Sequence, residues 1–302
     1  MNVFLWHVHG SWTTAFVQGR HRYLLPTLPG RGPDGLGRPG SWRWPESAVE
    51  VGPEEAARLP VDVVVLQRPT EMRGLARAWL GREPGRDVPA VYLEHTAPQG
   101  RINEMRHPAA DRPDLTVVHV THFNRLFWDT GRTPVRVIEH GIVDPGHRYC
   151  GELERAAAAI NEPGRRARVV GADLLPELGR TMPIDLFGIG TERELPQARL
   201  HDEMARRRAY VHPYRWTSLG LSLLEAMHLG MPVVALATTE TPDAVPDDGG
   251  LVSNRVEVLA DGLRRLRRDR DLARAMGERA REHACRRYGL GRFLQDWDEL
   301  LT

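Results

Sequence analysis

Short runs of β-branched and other apolar residues recur along this chain, and helical patterns separate several of them. The runs are VFLWHV (3–8), AVEV (48–51), VDVVVLQ (61–67), PAVYLEH (89–95), LTVVHV (115–120) and VRVIEH (135–140), then AAAAI (156–160), IDLFG (184–188), AYVHP (209–213), PVVAL (232–236) and GLVS (250–253). Helical patterns fall at 70–80 and 122–130, then at 166–180, 196–208, 218–230, 254–268, 271–287 and 290–301. Near-continuous apolar strands separated by helices predict mostly parallel sheets covered on both faces. The rhythm breaks twice. From Pro26 to Pro45 the density of Pro and Gly predicts a long loop. Around GIVDPGHRYCGE (141–152) neither period holds, which predicts a domain boundary. The expected organisation is α/β, with two doubly wound domains over 1–148 and 149–302 and a ligand cleft between them. A length of 302 residues, 41% of them hydrophobic, suffices for two modest cores.

Charge narrows the function classes. The formal net charge is +1, which argues against a protein built to grip nucleic acid. All 41 basic residues are Arg. A P-loop lysine, a Schiff-base lysine and a lysine nucleophile are therefore excluded, and cationic side-chain contacts to phosphate fall to Arg, whose fork matches paired oxygens. The two cysteines, Cys150 and Cys285, belong to no metal-spaced cluster, so a reducing, cytoplasmic setting is expected. The opening MNVFLWHVHGSW reads as a first strand, and no run reaches the roughly 20 apolar residues of a membrane span. There is no internal repeat.

The stretch TSLGLSLLEAMHLGMPVVAL (217–236) poses the sharpest question, because one carboxylate, Glu225, interrupts a core-like run. On a helical wheel Leu219, Leu223, Ala226, Met227 and Gly230 share a face, widened by Gly220 and Leu224. Ser218, Ser222 and Glu225 line the other side, with Ser218 as the expected N-cap and Gly230-Met-Pro as the stop. Two readings stand. The polar side is the wet face of an amphipathic helix, or the helix start takes an anion and Glu225, two turns further in, accepts from hydroxyls attached to it, as a carboxylate holds a ribose.

With those residues in view, the stretch resembles the donor-binding segment of GT-B glycosyltransferases, family 4 in particular. The likeness runs through Pro213, Thr217-Ser218-Leu219-Gly220-Leu221, Leu224-Glu225-Ala226-Met227 and Gly230-Met231-Pro232-Val233-Val234-Ala235. The family carries two glutamates here. The second falls on Glu225, and the resemblance implies that it holds the ribose. The first falls on Thr217, a departure at the position that contacts the donor sugar in the family. YLEHTAP (92–98) resembles the strand ending in a His that faces the donor sugar, which is His95. NEPGRRARVVG (161–171) lies where the family places cations on the diphosphate, which points to Arg165 and Arg166 with Arg168 in reserve. FGIG (187–190), with Gly188 and Gly190, resembles the turn near the nucleobase, and VIEHGIVDP (137–145) the strand and turn that close the first domain.

The resemblance implies two Rossmann-like domains, with the first on the acceptor side and the last helix, 290–301, crossing back to it. It implies transfer of a sugar from a nucleotide-diphosphate sugar to a small-molecule or glycan acceptor, with retention of configuration. Developing charge on the diphosphate would be met by peptide N–H groups and guanidinium groups, with no metal and no resident cofactor. Gly10 and Ser11, after the first strand, are expected to form a turn that approaches a ligand closely. His7, His9, His119 and His122 read as structural or substrate-facing, because no Cys or carboxylate spacing supports a metal. Trp6, Trp12, Trp42 and Trp44 fit sugar stacking or burial equally. The Arg runs at 206–208 and 264–268 read as solvated helix faces, with peripheral contact to anionic lipid as the alternative. The competing functional readings are a GT-B protein that binds a nucleotide sugar without turnover, favoured by Thr217, and a nucleotide-sugar epimerase, for which His95 alone stands out as an acid or base.

Overall fold

A computed structural model describes residues 1–40 and 42–302. The chain forms two compact units, Met1–Gly141 with Leu290–Thr302, and Ile142–Gly289. The stretch 142–148 therefore falls in the second unit and not before a boundary at 148. Its backbone explains the difference: Ile142 N–H bonds to Tyr288 O at 2.9 Å and Arg148 N–H to Leu229 O at 3.1 Å.

Unit 1 is built on a parallel sheet of β1 (Asn2–Leu5), β2 (Arg22–Pro26), β3 (Ala48–Val51), β4 (Val63–Leu66), β5 (Ala90–Glu94), β6 (Thr116–His119) and β7 (Val135–Val137), in the order β3-β2-β1-β4-β5-β6-β7. Its helices are α1 (Gly10–Phe16), α2 (Pro53–Arg58), α3 (Ala76–Leu80), α4 (His122–Phe127) and the closing α12 (Leu290–Leu301). Alternate residues of the strands face opposite layers. Phe4, Leu24, Val64, Leu66 and Tyr92 pack in one core with Trp6 and Trp79. On the other side Trp297 of α12 meets Trp12 and Phe16 of α1, with ring centroids 5.6 and 5.0 Å away, and Phe16 meets Tyr23 of β2 at 5.2 Å. Strand β2 escaped the sequence reading, because it ends on Pro26 at the edge of the Pro- and Gly-rich stretch. It nevertheless pairs with both β1 and β3.

Unit 2 carries β8 (Leu153–Ala159), β9 (Ile184–Phe187), β10 (Arg207–His212), β11 (Val233–Ala235) and β12 (Gly250–Val252), parallel and in the order β12-β11-β10-β8-β9. Its helices are α5 (Pro163–Arg166), α6 (Leu175–Gly179), α7 (Gln197–Ala205), α8 (Leu221–Leu229), α9 (Thr241–Ala244), α10 (Val256–Arg268) and α11 (Arg270–Arg287). The alanine run of β8 works as a central strand because both its faces are covered. Ala157 and Ala159 join the layer of Leu223, Met227, Ala280 and Ala284, while Ala156 joins that of Leu259 and Leu263. The single helix expected near 166–180 is instead α5, a 3₁₀ turn at Ala172–Leu174 and α6.

Two further expectations are corrected. Gly10 and Ser11 do not form a free turn; they are the first residues of α1, with His9 as the N-cap. Arg207 and Arg208 are not on a solvated helix face but buried in β10. Arg207 is held by Asp185 at 2.8 Å and Glu203 at 2.6 Å, and Arg208 donates to Gly151 O at 2.7 Å and Arg267 O at 2.9 Å. Burial of these cations is tolerated because their donors are met.

Candidate functional site

Unit 2 reverses its winding at β8. The chain passes from β8 to β9 on one side and then to β10 on the other. Ligands in such sheets bind outside the carboxyl ends of the strands at that reversal, here β8 and β10. Three loops meet there. Glu162 N–H bonds to Ile189 O at 2.7 Å and Ile189 N–H to the Asn161 side chain at 2.9 Å, tying the loop after β8 to the one after β9. Arg215 and Trp216 N–H both bond to Val169 O, at 2.9 and 3.1 Å, tying in the loop after β10. The contacts demand unusual backbone. Gly188 has φ +131, and a Cβ there would collide with Ile160 O. Gly171 has φ +70, and a Cβ there would collide with Pro213 O. Glu162 and Ala167 reach φ +52 and +25 without being glycine, the kind of local strain that surrounding structure must hold in place.

Helix α8 starts just above this junction. Its N-cap is Gly220 and not Ser218, and no side chain caps it. The Ser218 hydroxyl is instead buried with no hydrogen-bond partner among the described residues. Leu219 is buried in the core, so its contribution to a ligand is limited to its backbone. Below the helix start Tyr210 donates to Ser222 Oγ at 2.8 Å, Tyr214 donates to Ala159 O at 2.9 Å, and burial holds the His212 ring down at about 3, so it is neutral at neutral pH. Thr217 is half-buried in the turn ahead of α8.

Glu225 is not on a wet face; its relative exposure is 6%. Helix α7 covers it. Gln197 Nε2 donates to Oε1 at 3.1 Å, and His201 Nε2 lies 3.3 Å from Oε2. Helix α7 thus supplies two of the polar contacts of this carboxylate. Sequence reasoning missed Gln197 and His201. The signal was their i, i+4 spacing, which puts both on one face of a helix.

The cations are disposed differently from one another. Arg165 is exposed and paired with Glu162, Nε to Oε1 at 2.9 Å, and that bond raises its pKa. Arg168 is paired with Asp173 at 3.2 Å. Arg166 is half-buried, and its charge reaches the Tyr214 hydroxyl.

The carboxyl edge of unit 1 gathers histidines. His95 follows β5, with its ring centroid 4.0 Å from that of His9, 5.4 Å from Trp12 and 6.3 Å from His140. Burial and the two other imidazoles hold His95 well below its ordinary pKa; His9 is lowered to about 4 and His140 to about 3, burial being the larger cause in each. His95 Nε2 lies 3.2 Å from Gln67 Oε1. Gly10 packs on Trp42.

Comparison with known proteins places this architecture. It superposes on sucrose-phosphate synthase from Thermosynechococcus elongatus with a TM-score of 0.74 at 12% identity, covering 99% of this chain and 98% of the other. It superposes on Anabaena HepE in complex with UDP with a TM-score of 0.69 at 12% identity, covering 99% of each. Residues 193–283 match the family model of glycosyl transferases group 1. The chain has the GT-B fold. Among curated relatives this GT-B protein is 28% identical over 265 residues to an exopolysaccharide phosphotransferase of Streptomyces coelicolor, covering 80% of this chain and 26% of that one. It is 35% identical over 114 residues to a sulfoquinovosyl transferase of Arabidopsis thaliana, covering 36% of this chain and 21% of that one. It therefore spans about a quarter of the length of these relatives.

In unit 2 the GT-B protein brings together the residues singled out at 217–220, 188–190 and 165–166, around the ends of β8 and β10, with Glu225 in the second turn of α8. His95, Gly10 and Ser11 lie together at the carboxyl edge of unit 1.

Proposed function

We propose that this GT-B protein binds a nucleotide-diphosphate sugar at the carboxyl edge of its second sheet and transfers the sugar to a small-molecule or glycan hydroxyl, with retention of configuration. The observation that carries the reading is the start of α8 at the strand-order reversal, with the Ser218 hydroxyl beside it buried and without a partner among the described residues. A buried unmet hydroxyl costs about 1–3 kcal/mol, and a helix start offers N–H groups and the positive end of its dipole. A diphosphate answers both. In this reading the amides of residues 218–220 and the Arg166 guanidinium take the diphosphate, and Arg165 exchanges Glu162 for a phosphate oxygen. Glu225 takes ribose hydroxyls, the Gly188–Gly190 turn faces the base, and Thr217 faces the sugar. As the sugar departs, charge grows on the diphosphate, and fixed N–H and guanidinium donors stabilise it without a metal or a resident cofactor. The match over 193–283 to glycosyl transferases group 1 supports the reading, as does HepE, a structure of the same fold that holds UDP-glucose. The two unpaired cysteines, Cys150 and Cys285, fit a cytoplasmic setting. No described helix is long and apolar enough to cross a membrane.

Thr217, where an acid was expected, favours a second reading: a protein that binds the nucleotide sugar without turnover. A thermal-shift screen of nucleoside diphosphates and nucleotide sugars tests the first step, because a ligand of the folded state raises its stability by mass action. Stabilisation by a nucleotide sugar, followed by slow release of its nucleoside diphosphate, supports transfer. Stabilisation without any release supports the silent binder, and no stabilisation by any of them contradicts both.

A further inference from the structure

At the carboxyl end of β4, beside the strand-order reversal of unit 1, the Gln67 side chain lies between two groups of fixed chemistry. Its Nε2 donates to the Trp6 carbonyl oxygen at 2.7 Å. A carbonyl only accepts, so the amide cannot be turned over without placing two oxygens against each other. Its Oε1 is thereby aimed at His95 Nε2, 3.2 Å away. An amide oxygen also only accepts, so the proton belongs on His95 Nε2. A neutral imidazole carries one N–H, which leaves His95 Nδ1 as a bare lone pair. His95 is held neutral at this place by burial and by the nearby His9 and His140 rings. Its Nδ1 has no hydrogen-bond partner among the described residues, and the residue is half-buried, whereas His119 and His140 are buried.

We propose that Gln67 is a positioning residue that locks His95 in its Nε2–H tautomer, so that Nδ1 is presented at the carboxyl edge of unit 1 as a hydrogen-bond acceptor for a sugar or polyol hydroxyl. The chain of bonds runs Trp6 C=O, Gln67 amide, His95 imidazole, ligand O–H, each link fixing the polarity of the next. His95 is then unsuited to donate a hydrogen bond through Nδ1, and a ligand that presents an acceptor there is rejected. The hydroxyl-bearing ligand rests on the glycosyl-transfer reading, whereas the tautomer does not.

The test is long-range ¹H–¹⁵N correlation NMR on the full chain with ¹⁵N-labelled imidazoles at pH 7.5. The His95 signals are assigned by their loss in His95→Asn. The expected wild-type pattern is a protonated Nε2 and a bare Nδ1. Gln67→Leu, which removes the acceptor, is expected to release the ring into a mixture of tautomers. Gln67→Glu keeps an acceptor toward Nε2 and adds negative charge, so it is expected to keep the tautomer and move the His95 titration upward. A purely structural Gln67 would change stability in these variants and leave the His95 tautomer alone. A wild-type signal for Nδ1–H, or for an imidazolium at pH 7.5, overturns the proposal, and that spectrum decides the matter even if Gln67→Leu fails to fold. Nucleotide titrations are scored separately: failure of every nucleotide to bind with the Nε2–H pattern intact removes the glycosyl-transfer reading and leaves the lock standing.

Discussion

His201 Nε2 of α7 lies 3.3 Å from Glu225 Oε2 of α8, and both side chains are buried. The carboxylate at the centre of the candidate donor site is thus aimed by the helix before it. Gln197 adds a second contact from one turn earlier on α7. Glu225→Ala would leave two polar side chains facing a void. It should cost about 1–3 kcal/mol of stability, read from the shift of a urea unfolding midpoint. Glu225→Gln keeps the volume and one acceptor, and should cost less.

Gly188→Ala tests the junction of the loops. The position has φ +131, and a Cβ there meets Ile160 O, which is backbone and cannot swing away. The bonds from Glu162 to Ile189 and from Ile189 to Asn161 should open. Amide hydrogen exchange at Glu162 and Ile189 should accelerate, with about 1–3 kcal/mol of stability lost.

Closing helix α12 contributes Trp297 and Phe293, both buried in unit 1. Phe293 packs against Gly141, and Trp297 against Trp12 and Phe16. Trp297→Ala should cost about 3–5 kcal/mol. Deletion of residues 290–302 should expose the Trp12 and Phe16 rings, seen as a red shift of tryptophan emission and as binding of an apolar dye.

Acid should weaken both units. His119 in unit 1 and His212 in unit 2 are each lowered to about 3, chiefly by burial. Below about pH 6.5 the unfolded chain protonates these imidazoles and the folded chain does not. The stability they contribute is therefore complete above pH 6.5 and is lost as pH falls toward 3, by up to about 1.4 kcal/mol per pH unit for each ring. Urea midpoints measured at pH 7.5 and pH 5 should show the loss, and His212→Phe should flatten the slope. A flat profile in the wild type would count against burial of neutral rings.

The strand and helix rhythm was legible because apolar runs and helical periods are local signals. The parallel sheets of both units follow from runs such as VVVL in β4 and VVA in β11. Strand β2 was not legible, because RYLLP adjoins a breaker-rich stretch and its strand character comes from pairing with β1 and β3. Arg207 and Arg208 looked solvated because charge alone cannot reveal Asp185, 22 residues upstream of Arg207, waiting across the sheet. Glu225 was singled out by its interruption of an apolar run, yet its partners Gln197 and His201 depend on how α7 packs on α8. Ser218 was expected to cap α8; the start at Gly220 leaves its hydroxyl unmet among the described residues, a consequence of packing that local spacing does not carry.

The most direct test is calorimetric titration of UDP, GDP and ADP into the wild-type chain and into Glu225→Gln. The account predicts that at least one nucleoside diphosphate binds the wild type, and that Glu225→Gln weakens the tightest of them roughly tenfold, about 1.4 kcal/mol, while the protein stays folded. Equal affinity in the two proteins, or heat from none of the three nucleotides, would contradict it.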